Sequence, residues 1–364
     1  MCRRHPVSLG LMWAGVLFLL LVCGDVSRGA GPPRLVLVHS YEAGQICGQP
    51  QDDGLVAALA ENGFLDGETI EIHRFYMDTY RRYNTAEEIR RRGDEALALV
   101  ERLQPAVVVT LDDNAAATVM LSLAGGTIPV VFSGINEQPE RYNTRAHFMD
   151  SRRHPGGNVT GVYEKLHLLR SLRVLHDILP SATKVVGIFD ESPTGRAVAE
   201  QVRLEMLEEP DGPVALEIRT VQDFNQYQAC LAAINEDPEV AAVYPVVALL
   251  RDEHNTVWSS PELIRFTIHQ LRKPELAVNS NFSRLGYWGG ATVDFFAMGR
   301  QAGRQVAAIL QGVKAGDLPI EDGRKNALVF NLARSRQLGI EIPGDILGAA
   351  ENLYTTLPGA GEVP

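Results

Sequence analysis

From Pro33 onward, short β-branched runs that end in polar residues alternate with amphipathic helical segments. The runs are "RLVLVHS" (34–40), "IEIHRFYMD" (70–78), "AVVVTLDDN" (106–114), "IPVVFSGIN" (128–136), "KVVGIFDES" (184–192), "VALEIRTV" (214–221), "VAAVYPVV" (240–247) and "PELAVNSNF" (274–282). Several are nearly unbroken Val, Ile and Leu, the pattern of strands buried on both faces. Helical stretches fill the intervals. "TAEEIRRRGDEALALVERL" opens with Thr85 and Glu88 at capping-box spacing. "DDGLVAALAENGF" places Gly63 where a helix C-terminus favours a left-handed residue. Ser192 before Pro193 reads as a helix start, and "FFAMGRQAGRQVAAILQGV" as a further helix. This alternation implies parallel α/β sheets with right-handed crossovers, closed as a barrel or laid out as two open sheets.

Two stretches break the rhythm. "RRHPGGNVTGVYE" (152–164) is punctuated by Pro155, Gly156 and Gly157 and reads as a crossover between two lobes. "NSNFSRLGYWGGATVD" (279–294), rich in Gly, Ser and Asn, is the second break. A length of 364 residues exceeds one ordinary core, so two domains are expected.

The first thirty residues follow another pattern. Arg3 and Arg4 precede an apolar stretch from about Leu9 to Val22. That is shorter than the roughly 18–20 residues of a spanning helix and fits a secretory signal peptide over residues 1–30. Cleavage has two readings: at the small residues Ser27 and Gly29, or before Cys23, where "LLVC" approximates a lipoprotein box and the Cys would carry the lipid. Val22 stands where such boxes have a small residue. The mature chain is therefore expected outside the cytoplasm, periplasmic or extracytoplasmic, free or tethered to the membrane by a lipid. Beyond Cys2 and Cys23 there are only Cys47 and Cys230, with no metal or disulfide spacing. The formal charge of −11 argues against nucleic-acid binding.

In open parallel sheets, ligands sit at the carboxyl ends of the strands. The candidate binding residues are therefore Ser40 and Tyr41; Asp112, Asp113 and Asn114; Ser133, Gly134 and Asn136; Asp190; and Asn281 with Phe282. Asp113 or Asn114 can cap a helix beginning at Ala115. That leaves Asp112 with an oxygen for a ligand, and which of the three faces a cleft stays open. Tyr41 offers a ring and a hydroxyl, Gly134 a close backbone approach, and Asn136 a donor and an acceptor. Asp112, Asp113, Glu137, Asp190 and Glu191 outnumber bases at these ends. A shared cleft would favour an amine or a polyhydroxyl ligand over phosphates and dicarboxylates.

The stretches "HSYEAGQ", "FYMDTYRRYN", "VVVTLDDNAA", "IPVVFSGINE", "HPGGNVTGVYE", "AMGRQAGRQVAAILQG" and "LVFNLARSRQLGIEIP" occur in order across most of the mature chain. On them the chain resembles the periplasmic substrate-binding proteins of ABC transporters, in the branch that binds aromatic amino acids. It also resembles relatives that act as ligand-sensing partners of membrane signalling proteins. The resemblance implies a type I periplasmic-binding fold, two doubly wound parallel-sheet lobes joined by a hinge. The N-terminal lobe would span residues 31–157, completed by about 285–315. The C-terminal lobe would span 158–284, completed by about 316–350, with 351–364 a tail. "LDDNAA" and "NEQPE" depart from the turns that transporter members carry, so the resemblance does not supply the ligand.

The function so implied is capture of a small polar organic solute and delivery to an ABC transporter permease, without cofactor or metal. The alternative is a sensor that docks on a membrane signalling receptor. Enzymatic activity is not expected: adjacent carboxylates at one strand end diverge, and no GxSxG, HExxH or P-loop occurs. His39, His73, His147, His154 and His167 lack metal-ligand spacing. A repressor core of similar fold would need a DNA-binding helix pair where the apolar leader stands.

Overall fold

A computed structural model describes residues 31–247, 249–324 and 326–357. The signal-peptide and Cys23 expectations fall outside these residues. Two parallel sheets carry the architecture, which excludes the barrel. The first contains β1 (Arg34–His39), β2 (Glu71–Tyr76), β3 (Val107–Leu111), β4 (Val130–Ile135) and β5 (Val159–Tyr163). The second contains β6 (Lys184–Asp190), β7 (Ala215–Val221) and β8 (Val240–Val246). Further along come β9 (Gly289–Val293), β10 (Glu321–Asp322), β11 (Asn326–Asn331) and β12 (Asn352–Tyr354). The spatial orders are β10-β5-β4-β3-β1-β2, β7-β6-β8 and β12-β11-β9. Among the described strands, only the β9–β11 pair is antiparallel.

The apolar runs behave as their composition requires. In the first sheet Leu35, Leu37, Val107 and Val109 enter one core cluster, and Val36, Val38 and Val108 the opposite one. Each strand is thus buried on both faces, which only a sheet covered by helices on both sides allows. Thr85 caps the helix Ala86–Leu103 as expected: its Oγ1 accepts from the Glu88 N–H at 3.3 Å, and Glu88 Oε2 accepts from the Thr85 N–H at 3.2 Å. Gly63 is left-handed (φ +84°) just past the helix Gly48–Glu61.

Three departures matter. "HPGGNVTGVYE" is not only a crossover, because Val159–Tyr163 form β5 paired with β4, so the chain leaves the first sheet after Tyr163 rather than near residue 157. "PELAVNSNF" forms no continuous strand. Glu275, Leu276 and Asn279 make single bridges to β8 and β9, and Ser280–Arg284 turn into a short helix. These bridges join the second and third sheets. In the Gly-rich "WGGATV", positive φ at Gly289 and Gly290 builds β9.

The helix Phe295–Leu310 returns to the first lobe and lies against the helix Gly48–Glu61 at near backbone contact. A Cβ at Gly299 would stand 2.0 Å from the Gln51 carbonyl oxygen, and one at Gly54 would stand 2.1 Å from that of Phe296. Gly299→Ala should push the helices apart and cost about 2 kcal/mol, an overpacking penalty partly offset by helix propensity. Chemical denaturation would read it, and unchanged stability would show that the helices separate freely.

Candidate functional site

The seam after β3 answers the question its residues pose. No side chain of the Asp112–Asn114 trio caps the helix. Ser40 does so from the end of β1: its Oγ accepts from the Ala115 N–H at 2.8 Å and donates to the Leu111 carbonyl at 2.7 Å. The expectation that Asp113 or Asn114 is the cap is therefore corrected, because a neighbouring strand end brings a hydroxyl into the capping position. Asn114 instead donates to Thr79 Oγ1 at 2.9 Å.

Asp113 is a structural tie. Its carboxylate accepts from the backbone N–H groups of Asn136 (3.1 Å) and Glu137 (3.0 Å), and from the Tyr142 hydroxyl (2.8 Å). It fastens the end of β3 to the turn after β4. Burial still pushes its pKa up, against the pull of these bonds.

Asp112 is different. It sits in the left-handed region (φ +66°), a strain Asp tolerates better than most residues, and is 4% exposed. Ser133 donates to Gln51 Oε1 at 2.8 Å, and Gln51 Nε2 donates to Asp112 Oδ1 at 3.2 Å. Gly134 makes this relay fit: a Cβ there would lie 2.7 Å from the Gln51 amide and 2.9 Å from Asp112 Oδ1. The other oxygen, Oδ2, is buried and accepts no hydrogen bond from the described residues.

Asp112 faces a cavity of about 100 Å³. The first lobe supplies Tyr41, Tyr80, Asn136 and Glu164; the second supplies Thr194, Val246 and Ser260; the connecting segments add Asn279, Phe282 and Phe295. Thr194 and Ser260 stand in the first turns of helices Pro193–Met206 and Ser260–Gln270. The rings of Tyr41 and Tyr80 meet edge-to-face at 6.0 Å. Burial, then the neighbouring Asp113, pushes Asp112 up to about 8, with the Gln51 bond opposing. Glu164 is raised well above the usual range by burial, Asp112 and Asp113. Tyr41 and Cys47 are raised by burial first and by Asp112 next.

A family model described as ABC transporter substrate binding protein matches residues 50–353. The chain belongs to that family. This substrate-binding protein is 20% identical over 286 residues to a tyrosine-binding protein of Clostridioides difficile (strain R20291), covering 76% of this chain and 73% of that one. Among solved structures it resembles an ABC domain in complex with L-Trp from Streptococcus pneumonia (17% identity, TM-score 0.70). It also resembles a ligand-free, open substrate-binding protein with adhesive properties from Clostridium difficile (15% identity, TM-score 0.65). Each comparison covers 89% of this chain and all of the other. These likenesses carry the type I periplasmic-binding fold. The family is extracytoplasmic, and no described helix is long and apolar enough to cross a membrane.

In this substrate-binding protein the expected site residues do not all meet. Tyr41, Asp112, Asn136 and Phe282 meet at the cavity. Ser40, Asp113, Asn114, Ser133 and Gly134 stand behind it as scaffold. Asn281 donates to the Ile46 carbonyl at 2.8 Å. Asp190 accepts from the N–H groups of Ser192 and Leu249, each at 2.8 Å. With Glu137 and Glu191 it lines a separate, larger groove that also holds Arg141, Arg196 and Arg203. The five strand-end acids thus do not share one cleft. Glu164 was missed: it lies just past β5, in the stretch read only as a crossover, and the cue was the same as for Asp112, an acid directly following an apolar strand.

The raised Asp112 has a pH signature. Its folded pKa of about 8 lies above the ordinary 3.8, so between those values the folded chain holds more protons than the unfolded one. Stability is then full below about pH 4 for this group and falls as pH rises toward 8, by up to about 1.4 kcal/mol per pH unit. Asp112→Asn should melt progressively higher than the wild type from pH 5 to pH 8. A constant difference across that range would show an ordinary Asp112.

Proposed function

We propose that the protein captures a small polar organic solute in this cavity and delivers it to an ABC transporter permease, without catalysing a reaction. The observation that carries the reading is that walls from both lobes and from the connecting segments close around one cavity, mostly apolar, into which the buried carboxyls of Asp112 and Glu164 are set. Closure is supported by ties across the lobes. The Tyr80 hydroxyl donates to the Trp258 carbonyl at 3.2 Å, Arg251 donates to Asn84 Oδ1 at 2.6 Å, and Arg141 pairs with Glu200 at 3.7 Å. A ligand held on both sides selects this closed arrangement from an ensemble that also opens. No observation on the described residues favours the sensing alternative. The signal peptide, with cleavage either at Ser27 and Gly29 or before a lipidated Cys23, and the division into two lobes belong to this proposal and rest on sequence, except that the pairing of β5 with β4 carries the first sheet to Tyr163.

Thermal melts against a panel of amines, amino acids, organic acids, nucleosides and sugars test it. Tyrosine and tryptophan, named for two relatives, belong in the panel. A ligand at a hundredfold its dissociation constant adds about 2.7 kcal/mol, a rise of several degrees. Val247→Trp, which fills the cavity from the second lobe, should abolish the rise and leave the unliganded melt near its normal value. A full rise in that variant would place binding elsewhere.

A further inference from the structure

Asp112 and Glu164 are each only 4% exposed, yet both line the one cavity. They follow β3 and β5, strands separated by β4 in the sheet. Neither is satisfied in the way a buried carboxylate normally is. Asp112 Oδ2 has no partner among the described residues, and Glu164 receives a 3.5 Å contact from Asn136 Nδ2. No Lys, Arg or His is among the residues that line the cavity. The same fold shows how it neutralises a buried acid when the role is structural: Glu275, fully buried, is held by the Arg334 guanidinium. Around Asp112 and Glu164 it supplies apolar and aromatic surface instead, from Tyr41, Phe282, Phe295, Val198 and Val246.

We propose that the cleft takes a protonated amine without a carboxylate, its ammonium held between Asp112 and Glu164 and its hydrocarbon or aryl body against Tyr41, Phe282 and Phe295. This rests on the capture reading above and adds the ligand's class. An ammonium brings the three donors that two under-bonded carboxyls lack, and a cation near aromatic faces gains further. A ligand carboxylate would bring negative charge into a small, poorly solvated space that already holds two acids, with Asp113 behind them. An amino acid should therefore bind more weakly than its decarboxylated amine.

The electrostatics agree. Without a cation Asp112, pushed up to about 8 by burial and by Asp113, holds its proton near neutral pH, and burial, Asp112 and Asp113 push Glu164 up as well. The other titratable groups facing them are Asp113, Tyr41, Tyr80 and Cys47, all raised and none basic. Thr194, Val198, Val246, Val247 and Ser260 face them from the second lobe and do not titrate. Ammonium binding therefore expels protons and tightens as pH rises from 6 to 8.

The test is calorimetry on the purified protein with two matched sets, tyramine, L-tyrosine and 4-hydroxyphenylacetate, and isoamylamine, L-leucine and 4-methylpentanoate. Titrations are run at pH 6, 7 and 8 in buffers of different ionisation enthalpy. At least one amine should bind about tenfold or more tighter than its amino acid, release protons, and leave the matching acid without measurable binding. Asp112→Asn and Glu164→Gln should each weaken the amine about 10- to 100-fold, the worth of a charge-assisted hydrogen bond, while the folded melt is retained. An amino acid or acid binding as tightly as its amine would overturn the proposal. So would amine binding indifferent to both substitutions, or a neutral compound from the thermal panel binding where no amine does, an outcome that leaves capture intact. If no compound of any charge binds by melt or calorimetry, capture falls as well.

Discussion

Replacing Arg334 by methionine is expected to destabilise the protein by about 3–5 kcal/mol, the usual cost of stranding one member of a buried ion pair. Arg334 is 1% exposed and Glu275 0%. The guanidinium donates Nε to Glu275 Oε2 at 3.1 Å and a second bond to Oε1, and also reaches the carbonyls of Ile268 (3.0 Å) and Leu271 (2.8 Å). Burial raises the Glu275 pKa and Arg334 opposes it. Without the cation, Glu275 must take up a proton, and two carbonyls lose their donors. Glu275 bridges to β8 while Arg334 follows β11, so the pair locks the third sheet onto the second lobe. The melting temperature should fall on the order of 10 °C. The double variant Arg334→Met/Glu275→Leu should recover much of the loss, since both charges are then gone. A double variant no better than the single would mean that the carbonyl bonds, not the ion pair, dominate.

Asp113→Ala should cost about 3 kcal/mol and disturb the cavity as well. It removes the acceptor for the Asn136 and Glu137 N–H groups and for the buried Tyr142 hydroxyl, and each orphaned donor carries a desolvation penalty of about 1–3 kcal/mol. Some of that is returned because a buried acid with a raised pKa disappears. Asn136 lines the cavity and would lose its anchor, so ligand affinity should drop along with stability. Asp113→Asn keeps an acceptor oxygen and should be milder on both counts. Denaturant titration of the two variants beside a binding isotherm separates the effects. Loss of binding with full stability would make Asp113 a direct contact rather than a tie.

Asp112 and Asp113 are adjacent and chemically identical, yet they do opposite things. The local string "TLDDNAA" offers no basis for choosing between them. The choice falls to Gly134 and Gln51, which leave room for one carboxyl, and to the turn after β4, whose N–H groups claim the other. In the same way Ser40, read as a ligand contact, becomes the helix cap because β1 lies beside β3 in the sheet.

What the sequence determined by itself was the class of fold and, in Tyr41, Asp112 and Asn136, three strand ends that border the cavity. Near-continuous Val and Ile in β1, β3, β4 and β6 are stable only when both faces are covered, and polar residues directly after them mark the sheet edge where a cleft opens. Capping residues such as Thr85 and Ser192 act within a few positions of their targets, so they too were legible. Tertiary structure alone decided β9, whose Gly289, Gly290 and Ala291 carry weak strand propensity until neighbours supply the hydrogen bonds, and it alone paired β5 with β4 directly after the turn signal of Pro155, Gly156 and Gly157. It alone decided the partners of Asp112, since Gln51 lies 61 residues away, and the pairing of Arg334 with Glu275, 59 residues apart. The physical reason is the range of the forces: periodicity and caps are set by near neighbours, whereas burial and the satisfaction of a buried charge depend on which distant segments the fold brings into contact.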